Sequence, residues 1–352
     1  MTAHRWILRH SITLPSADEQ ALFLLRPFAH SPKRKRLFTE KDAFLLIQQT
    51  ALSVGCATTP QTWWPTLCSL TSFKRRTVRR RRAFGLFSDK VKDVLGLEDS
   101  DAAAELYDAI ERRLDERQMT YLRERFSHQA ISTEISGLAH LEASLEKGRG
   151  AILWNTAALG DTIVTKRALS EAGVPAYQLS VRSHGFSQSS FAVRNLNPGQ
   201  IAVEDRYLAG RVWFDGDDAV QATREVVRLL KGNVPVLFTN SLFAGRSFVA
   251  VSAGAKFYWP MATTPLSIAA KLNVPLHIVT TIEQEAFSRY ITHISPALSS
   301  NGADASATGA DSRIAALAVN ARNILIDFTR ANPDQIRLWD ALIDPSDIRL
   351  QD

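Results

Sequence analysis

The stretch that decides the fold class is residues 137–161, which reads GLAHLEASLEKGRGAILWNTAALGD. Leucines at 138, 141 and 145 recur at helical spacing, so we predict a helix from about residue 133 to residue 147. Gly148 and Gly150 interrupt that pattern, and the short apolar run at 151–154 that follows predicts a buried strand. A helix that turns through glycines into a buried strand is typical of an α/β domain.

The same alternation continues toward the carboxyl terminus. We predict strands at residues 151–154, 176–181, 212–214, 234–239, 248–251, 274–280 and 289–294, and helices at 162–172, 217–231, 264–272 and 312–330. Strands alternating with helices indicate an α/β domain, here over residues 131–345, with a mostly parallel sheet flanked by helices. The small and polar segment 301–311 predicts a surface loop.

The first part of the chain differs in composition and charge. Residues 1–90 carry 16 Lys and Arg against 5 Asp and Glu, whereas the other 262 residues carry 26 against 31. Apolar residues recur at helical spacing over 101–126. We therefore predict that residues 1–130 form a basic, mainly helical region that precedes the α/β domain.

The charge is concentrated in two runs, residues 33–36 and Lys74–Arg82, and the second has seven basic residues in nine. Aromatic residues surround the second run, at Trp63, Trp64, Phe73, Phe84 and Phe87. This combination suits an anionic membrane surface, an acidic carrier protein, or salt bridges with the acidic remainder of the chain. The sequence contains no helix-turn-helix, RNA-binding or zinc-finger pattern, so we predict no nucleic-acid partner.

Localisation follows from what the sequence lacks. No run approaches the ~18–20 apolar residues of a membrane-spanning helix, and no signal-peptide pattern precedes residue 20. Cys56 and Cys68 do not have the spacing of metal ligands. We predict a cytoplasmic protein with no bound metal or cofactor, with peripheral contact to the inner membrane through the basic run.

Several stretches together resemble the lysophospholipid acyltransferase superfamily, in its lipid A late acyltransferase branch. They cover roughly residues 130–345 and are 137–161, Arg182, 229–241 (LLKGNVPVLFTNS), 259–279 (WPMATTPLSIAAKLNVPLHIV) and 332–342 (NPDQIRLWDAL). The resemblance implies an acyltransferase-like fold. It also implies transfer of an acyl or aminoacyl group from a carrier-protein (phosphopantetheine) or coenzyme A thioester to a hydroxyl or amine, in lipid or natural-product biosynthesis.

The family's hallmark is a His followed, five positions on, by Asp or Glu, and this chain departs from it. Asp161 occupies the acidic position, but Thr156 stands in place of the His. Four interpretations remain open. Asp161 could be the base, with its pKa raised by burial; His184 could substitute; the acceptor could be an amine that needs less help, or Thr156 could form a covalent intermediate; or the site could bind without catalysis.

The resemblance implies further site residues. Arg182 matches an Arg that holds the donor or the developing oxyanion, and Asn240 and Ser241 stand where the family commonly has Asp-Gln. Arg246 is placed to meet a phosphate of the donor or of a lipid headgroup. Asn155 and its neighbour at 156 complete the predicted substrate-binding set, and both could instead cap the helix that follows.

A second class of function stays open beside the transferase. A degenerate acyltransferase fold could serve as a lipid- or carrier-protein-binding module. Motifs of other chemistries are absent from the sequence: there is no G-x-S-x-G, no G-x-x-x-x-G-K-[ST] and no H-E-x-x-H.

Overall fold

A computed structural model describes residues 6–14, 19–26, 36–126, 131–155, 163–214, 219–239, 245–299, 309–336 and 339–350, with the backbone alone at residues 14 and 73–82. The described strands are β1 (Trp6–Leu14), β2 (Glu19–Leu25), β3 (Ser132–Ser136), β4 (Ala151–Asn155), β5 (Tyr177–Val181), β6 (Gly210–Phe214), β7 (Pro235–Thr239), β8 (Ser247–Ser252), β9 (Tyr258–Ala262), β10 (Leu276–Glu285), β11 (Arg289–Ile294) and β12 (Ile348–Leu350).

The described α-helices are α1 (Glu40–Thr58), α2 (Trp64–Leu95), α3 (Ser100–Phe126), α4 (Leu138–Leu145), α5 (Val164–Glu171), α6 (Ser190–Asn195), α7 (Asn197–Asp205), α8 (Ala219–Lys231), α9 (Thr263–Leu272) and α10 (Ala310–Ala331). None of the helices within the described ranges is long and apolar enough to cross a bilayer.

The larger sheet has seven strands in the order β3-β11-β10-β4-β7-β5-β6. Its neighbouring strands are parallel except for the antiparallel pair β10–β11. All five residues of the central strand β4 are buried, as a strand covered on both faces requires. The structure confirms the predicted α/β class, and this sheet is mostly parallel as predicted.

Helices cover both faces of this sheet, and the alternation of side chains along β4 shows the division. Ile152 and Trp154 belong to the main apolar core, which includes residues of α8, α9 and α10. Leu153 points to the opposite face and packs in a smaller core with Leu141 of α4 and Leu169 of α5. Successive side chains of β4 thus pack into two separate layers, one on each face of the sheet.

The smaller sheet joins distant parts of the chain, in the order β12-β1-β2-β8-β9. Within the mainly helical region predicted for residues 1–130, helices α1 to α3 are found, but residues 6–25 contribute two strands. Strand β2 pairs with β8, more than 200 residues away, so sheet pairing crosses the predicted domain boundary near residue 130. The helix predicted from residue 133 also begins later, because residues 132–136 form β3 beside β11.

His277 is a buried side chain at the amino-terminal end of β10, with both ring nitrogens bound. Nδ1 lies 2.8 Å from the Ser295 carbonyl, so Nδ1 donates, and Nε2, 2.9 Å from the Ser144 hydroxyl, accepts. Burial lowers the pKa of His277 below the usual 6.5, against the opposing effect of the Ser295 carbonyl. The fold therefore holds the imidazole in its neutral form.

We expect this histidine to make the protein less stable in mild acid. The unfolded chain binds the proton at a higher pH than the folded chain, so stability is full above about pH 6.5 and falls as the pH drops below it. Urea unfolding at about pH 7.5 and about pH 5.5 measures the change. His277→Gln should lose less stability than the wild type between these two pH values. An equal loss would show that protonation of His277 is not the cause.

Candidate functional site

The carboxyl ends of four parallel strands meet at one edge of the larger sheet: β4 ends at Asn155, β5 at Val181, β6 at Phe214 and β7 at Thr239. The chain passes outward from β4 to β5 and β6, then returns to place β7 between β4 and β5. Ligands of open α/β sheets bind outside the carboxyl ends of strands, where the strand order reverses in this way.

The sheet opens toward this edge between β5 and β7. These strands pair only through Tyr177 with Val236 and Gln178 with Leu237. Beyond that point β7 continues beside β4, and β5 continues beside β6 as far as Val181. The two halves of the sheet therefore separate at their carboxyl ends, and the residues that follow β5 border the opening.

His184 lies in the turn after β5 and forms a pair with a buried carboxylate. Its backbone N–H donates to the Val181 carbonyl at 2.9 Å, which closes the turn. Its Nε2 lies 3.1 and 2.9 Å from the two carboxylate oxygens of Glu204 in α7. A nitrogen facing a carboxylate carries the hydrogen, so Nδ1 is the ring nitrogen able to accept a proton. The His184 side chain is 22% exposed and that of Glu204 is 0% exposed.

Glu204 is the centre of a buried charge cluster. Its carboxylate accepts from Lys166 Nζ at 2.7 Å, from an Arg211 nitrogen at 3.1 Å and from Gln200 Nε2 at 2.8 Å. Burial alone would raise the pKa of Glu204, but Lys166, His184 and Arg211 together lower it well below its usual range. Burial lowers the pKa of Lys166 to about 8 against the attraction of Glu204. The carboxylate that holds His184 therefore stays ionised.

Arg211 connects this cluster to the sheet. From β6 its guanidinium donates to the Ser180 hydroxyl at 2.6 Å and the Gln178 side-chain oxygen at 3.2 Å, both on β5, and to Asp205 at 2.7 Å. Alternation along β5 and β6 puts these side chains on the face covered by α5 and α7. The cluster thus joins two strands and two helices beneath His184.

The loop that carries His184 is fixed by Asn197 at the start of α7. The Asn197 amide oxygen accepts from the Phe186 N–H at 3.0 Å, and its amide nitrogen donates to the Ser187 carbonyl at 2.8 Å. Gly185 has a φ of 134°, and a Cβ there would lie 2.4 Å from the Asn197 side chain. The loop needs glycine at this point, and its geometry is set before any ligand arrives.

The structure places some of the predicted site residues and not others. Arg182 is exposed in the same turn as His184, Asn155 is buried at the end of β4, and Arg246 is exposed just before β8. Asp161, Thr156, Asn240 and Ser241 lie outside the described residues, and their roles stay predictions. The sequence analysis missed Lys166, Glu204 and Arg211, which no motif marks and which only the fold brings together.

Comparisons with known proteins add no family. No family model matches the chain, and no curated protein matches it either. Among the residues with described positions, no group of three or more His, Cys, Asp and Glu side chains could hold a metal ion.

Proposed function

We propose that the protein transfers an acyl or aminoacyl group from a thioester donor to a hydroxyl or amine, at the opening between β5 and β7. The observation that carries the proposal is the pair of His184 with the buried, ionised Glu204 at the carboxyl edge of the sheet. A histidine whose second nitrogen is held by a carboxylate suits general-base catalysis, since the carboxylate orients the ring and stabilises the imidazolium.

The reaction proceeds by addition and elimination. His184 Nδ1 takes the proton from the acceptor as the acceptor oxygen or nitrogen attacks the thioester carbon. The tetrahedral intermediate then collapses, the carbon–sulfur bond breaks, and the departing thiolate takes the proton back from Nδ1. In this proposal Arg182, in the same turn, stabilises the oxyanion or a donor phosphate, for which a guanidinium is suited.

The donor in this proposal is a co-substrate rather than a resident cofactor. It is coenzyme A or a carrier protein, acyl or peptidyl, with the acyl group on phosphopantetheine. Asp161, which follows β4 in the sequence, is the alternative base. Thr156 in place of the family's histidine favours a second candidate function, a catalytically degenerate fold that binds a lipid or a carrier protein without turnover.

Turnover of a thioester decides between these two functions. The protein is incubated with acyl-coenzyme A or acyl-carrier protein, with and without a panel of amines and alcohols, and free thiol and product mass are followed. We expect acceptor-dependent thiol release and a product heavier by the acyl group. Binding of the donor with no release for any acyl length or acceptor would overturn the transferase and leave the binding module.

A further inference from the structure

Helices α1 and α2 form an antiparallel pair against α3, and three contacts establish their register. The Asp115 carboxylate of α3 accepts from both Gln48 of α1 and Thr71 of α2. A Cβ at Gly55 would lie 2.7 Å from a methyl carbon of Leu67. Residues near 47 on α1 therefore lie beside residues 72–75 of α2, where the basic run Lys74–Arg82 begins.

The outward faces of both helices carry large apolar side chains. Ile47 and Val54 of α1 are 70% and 57% exposed, and Trp63, directly before α2, and Leu70 of α2 are 61% and 68% exposed. Each pair is separated by seven residues, two helical turns, so its members lie on one stripe. Positions 74 and 81 continue the stripe of Trp63 and Leu70 into the basic run.

The basic run holds more charge than α3 can neutralise. Thr71 bonds Asp115 and the Phe87 ring packs on Tyr107, so residues 74–82 run beside 108–116 of α3. Of the four acids there, Glu116 is already paired with Arg112 and Arg113 of α3 itself, which leaves Asp108, Glu111 and Asp115 to face α2. With Asp108, Glu111 and Asp115 all counted against the run, its seven basic residues still exceed them by four.

We infer that the outer face of α1 and α2, with Ile47, Val54, Trp63 and Leu70 next to Lys74–Arg82, docks on an anionic lipid bilayer. Amphipathic helices bind in the headgroup region by inserting apolar side chains while Lys and Arg meet anionic lipids. Tryptophan prefers this interface. The exposed side chains lie on two neighbouring helices, beside the basic run. The inference does not rest on the proposed function.

Vesicle sedimentation tests the inference with the full chain. We expect binding to phosphatidylcholine vesicles that contain phosphatidylglycerol, with no binding to pure phosphatidylcholine. Raising the salt from about 0.05 M to about 0.5 M should release the protein, because exposed charges are screened within ~10 Å already at 0.1 M. Replacing the four arginines 79–82 with Ser should weaken binding on the order of a thousandfold, and Trp63→Ser with Leu70→Ser about tenfold.

Matched variants elsewhere control for charge and exposed apolar area. Val220→Ser and Leu350→Ser remove apolar side chains of comparable fractional exposure, and Ser at the exposed positions Arg224, Arg228, Lys231 and Lys271 removes four charges from α8 and α9. These variants should bind like the wild type. Equal weakening by both sets would overturn the inference, as would binding to neutral vesicles. Binding of a soluble acidic carrier protein without binding of vesicles would assign the face to a protein partner.

Discussion

Glu204→Gln should lower the free energy of unfolding by about 3–5 kcal/mol, the largest stability effect we expect from a single polar substitution in this chain. The carboxylate is fully buried and compensates two buried cations, Lys166 and Arg211, and it also holds His184. Glutamine keeps the shape and removes the charge. The two cations would then stay buried without their common partner, which costs more than the ion pairs themselves contribute.

Urea unfolding measures this loss, and a second substitution tests its cause. If the cost arises from uncompensated charge, adding Lys166→Met should recover part of the lost stability. The effects of two substitutions on stability do not add when both residues belong to one network. Glu225→Gln breaks an ion pair with Arg228 in which both side chains are exposed, and it should change stability little. Equal losses at Glu204 and Glu225, or no recovery in the double variant, would contradict a buried charge network.

Strands β4 and β7 of the larger sheet could be predicted from the sequence because they are continuous apolar runs that follow glycine or polar residues. The run at 151–154 is β4, and the run at 234–239 is β7. The strands at 6–25 could not be predicted in this way. Their partner β8 is more than 200 residues distant, and local patterns carry no information about such pairing.

The candidate site, too, could be predicted only in part, because it depends on contacts between distant parts of the chain. His184 was found through its position two residues after Arg182, at the end of a predicted strand. Lys166, Glu204 and Arg211 have the sequence appearance of ordinary charged residues in amphipathic segments, which are mostly solvent-exposed. They are buried because α5 and α7 cover the same face of the sheet, and this follows from packing that no local pattern encodes.

His184→Gln should reduce acyl transfer by about 10²–10⁴-fold, the usual contribution of a general base. The side chain is partly exposed and contacts Glu204 from the edge of the cluster, so the variant should remain folded. His140→Gln, at an exposed histidine of α4, is the control and should leave turnover unchanged. Imidazole added to a His184→Ala variant should restore part of the rate, a result that a merely structural histidine would not produce.

Asp161→Asn separates His184 from the alternative base. If His184 accepts the proton, Asp161→Asn should retain turnover well above that of His184→Gln in the same assay. The opposite order, with Asp161→Asn inactive and His184→Gln active, would assign the base to Asp161. An acyl group found on Thr156 in the intact protein would instead indicate a covalent intermediate. In that case the Thr156 hydroxyl would lose its proton and attack the thioester, the donor thiol would depart, and the acceptor would then attack the Thr156 ester.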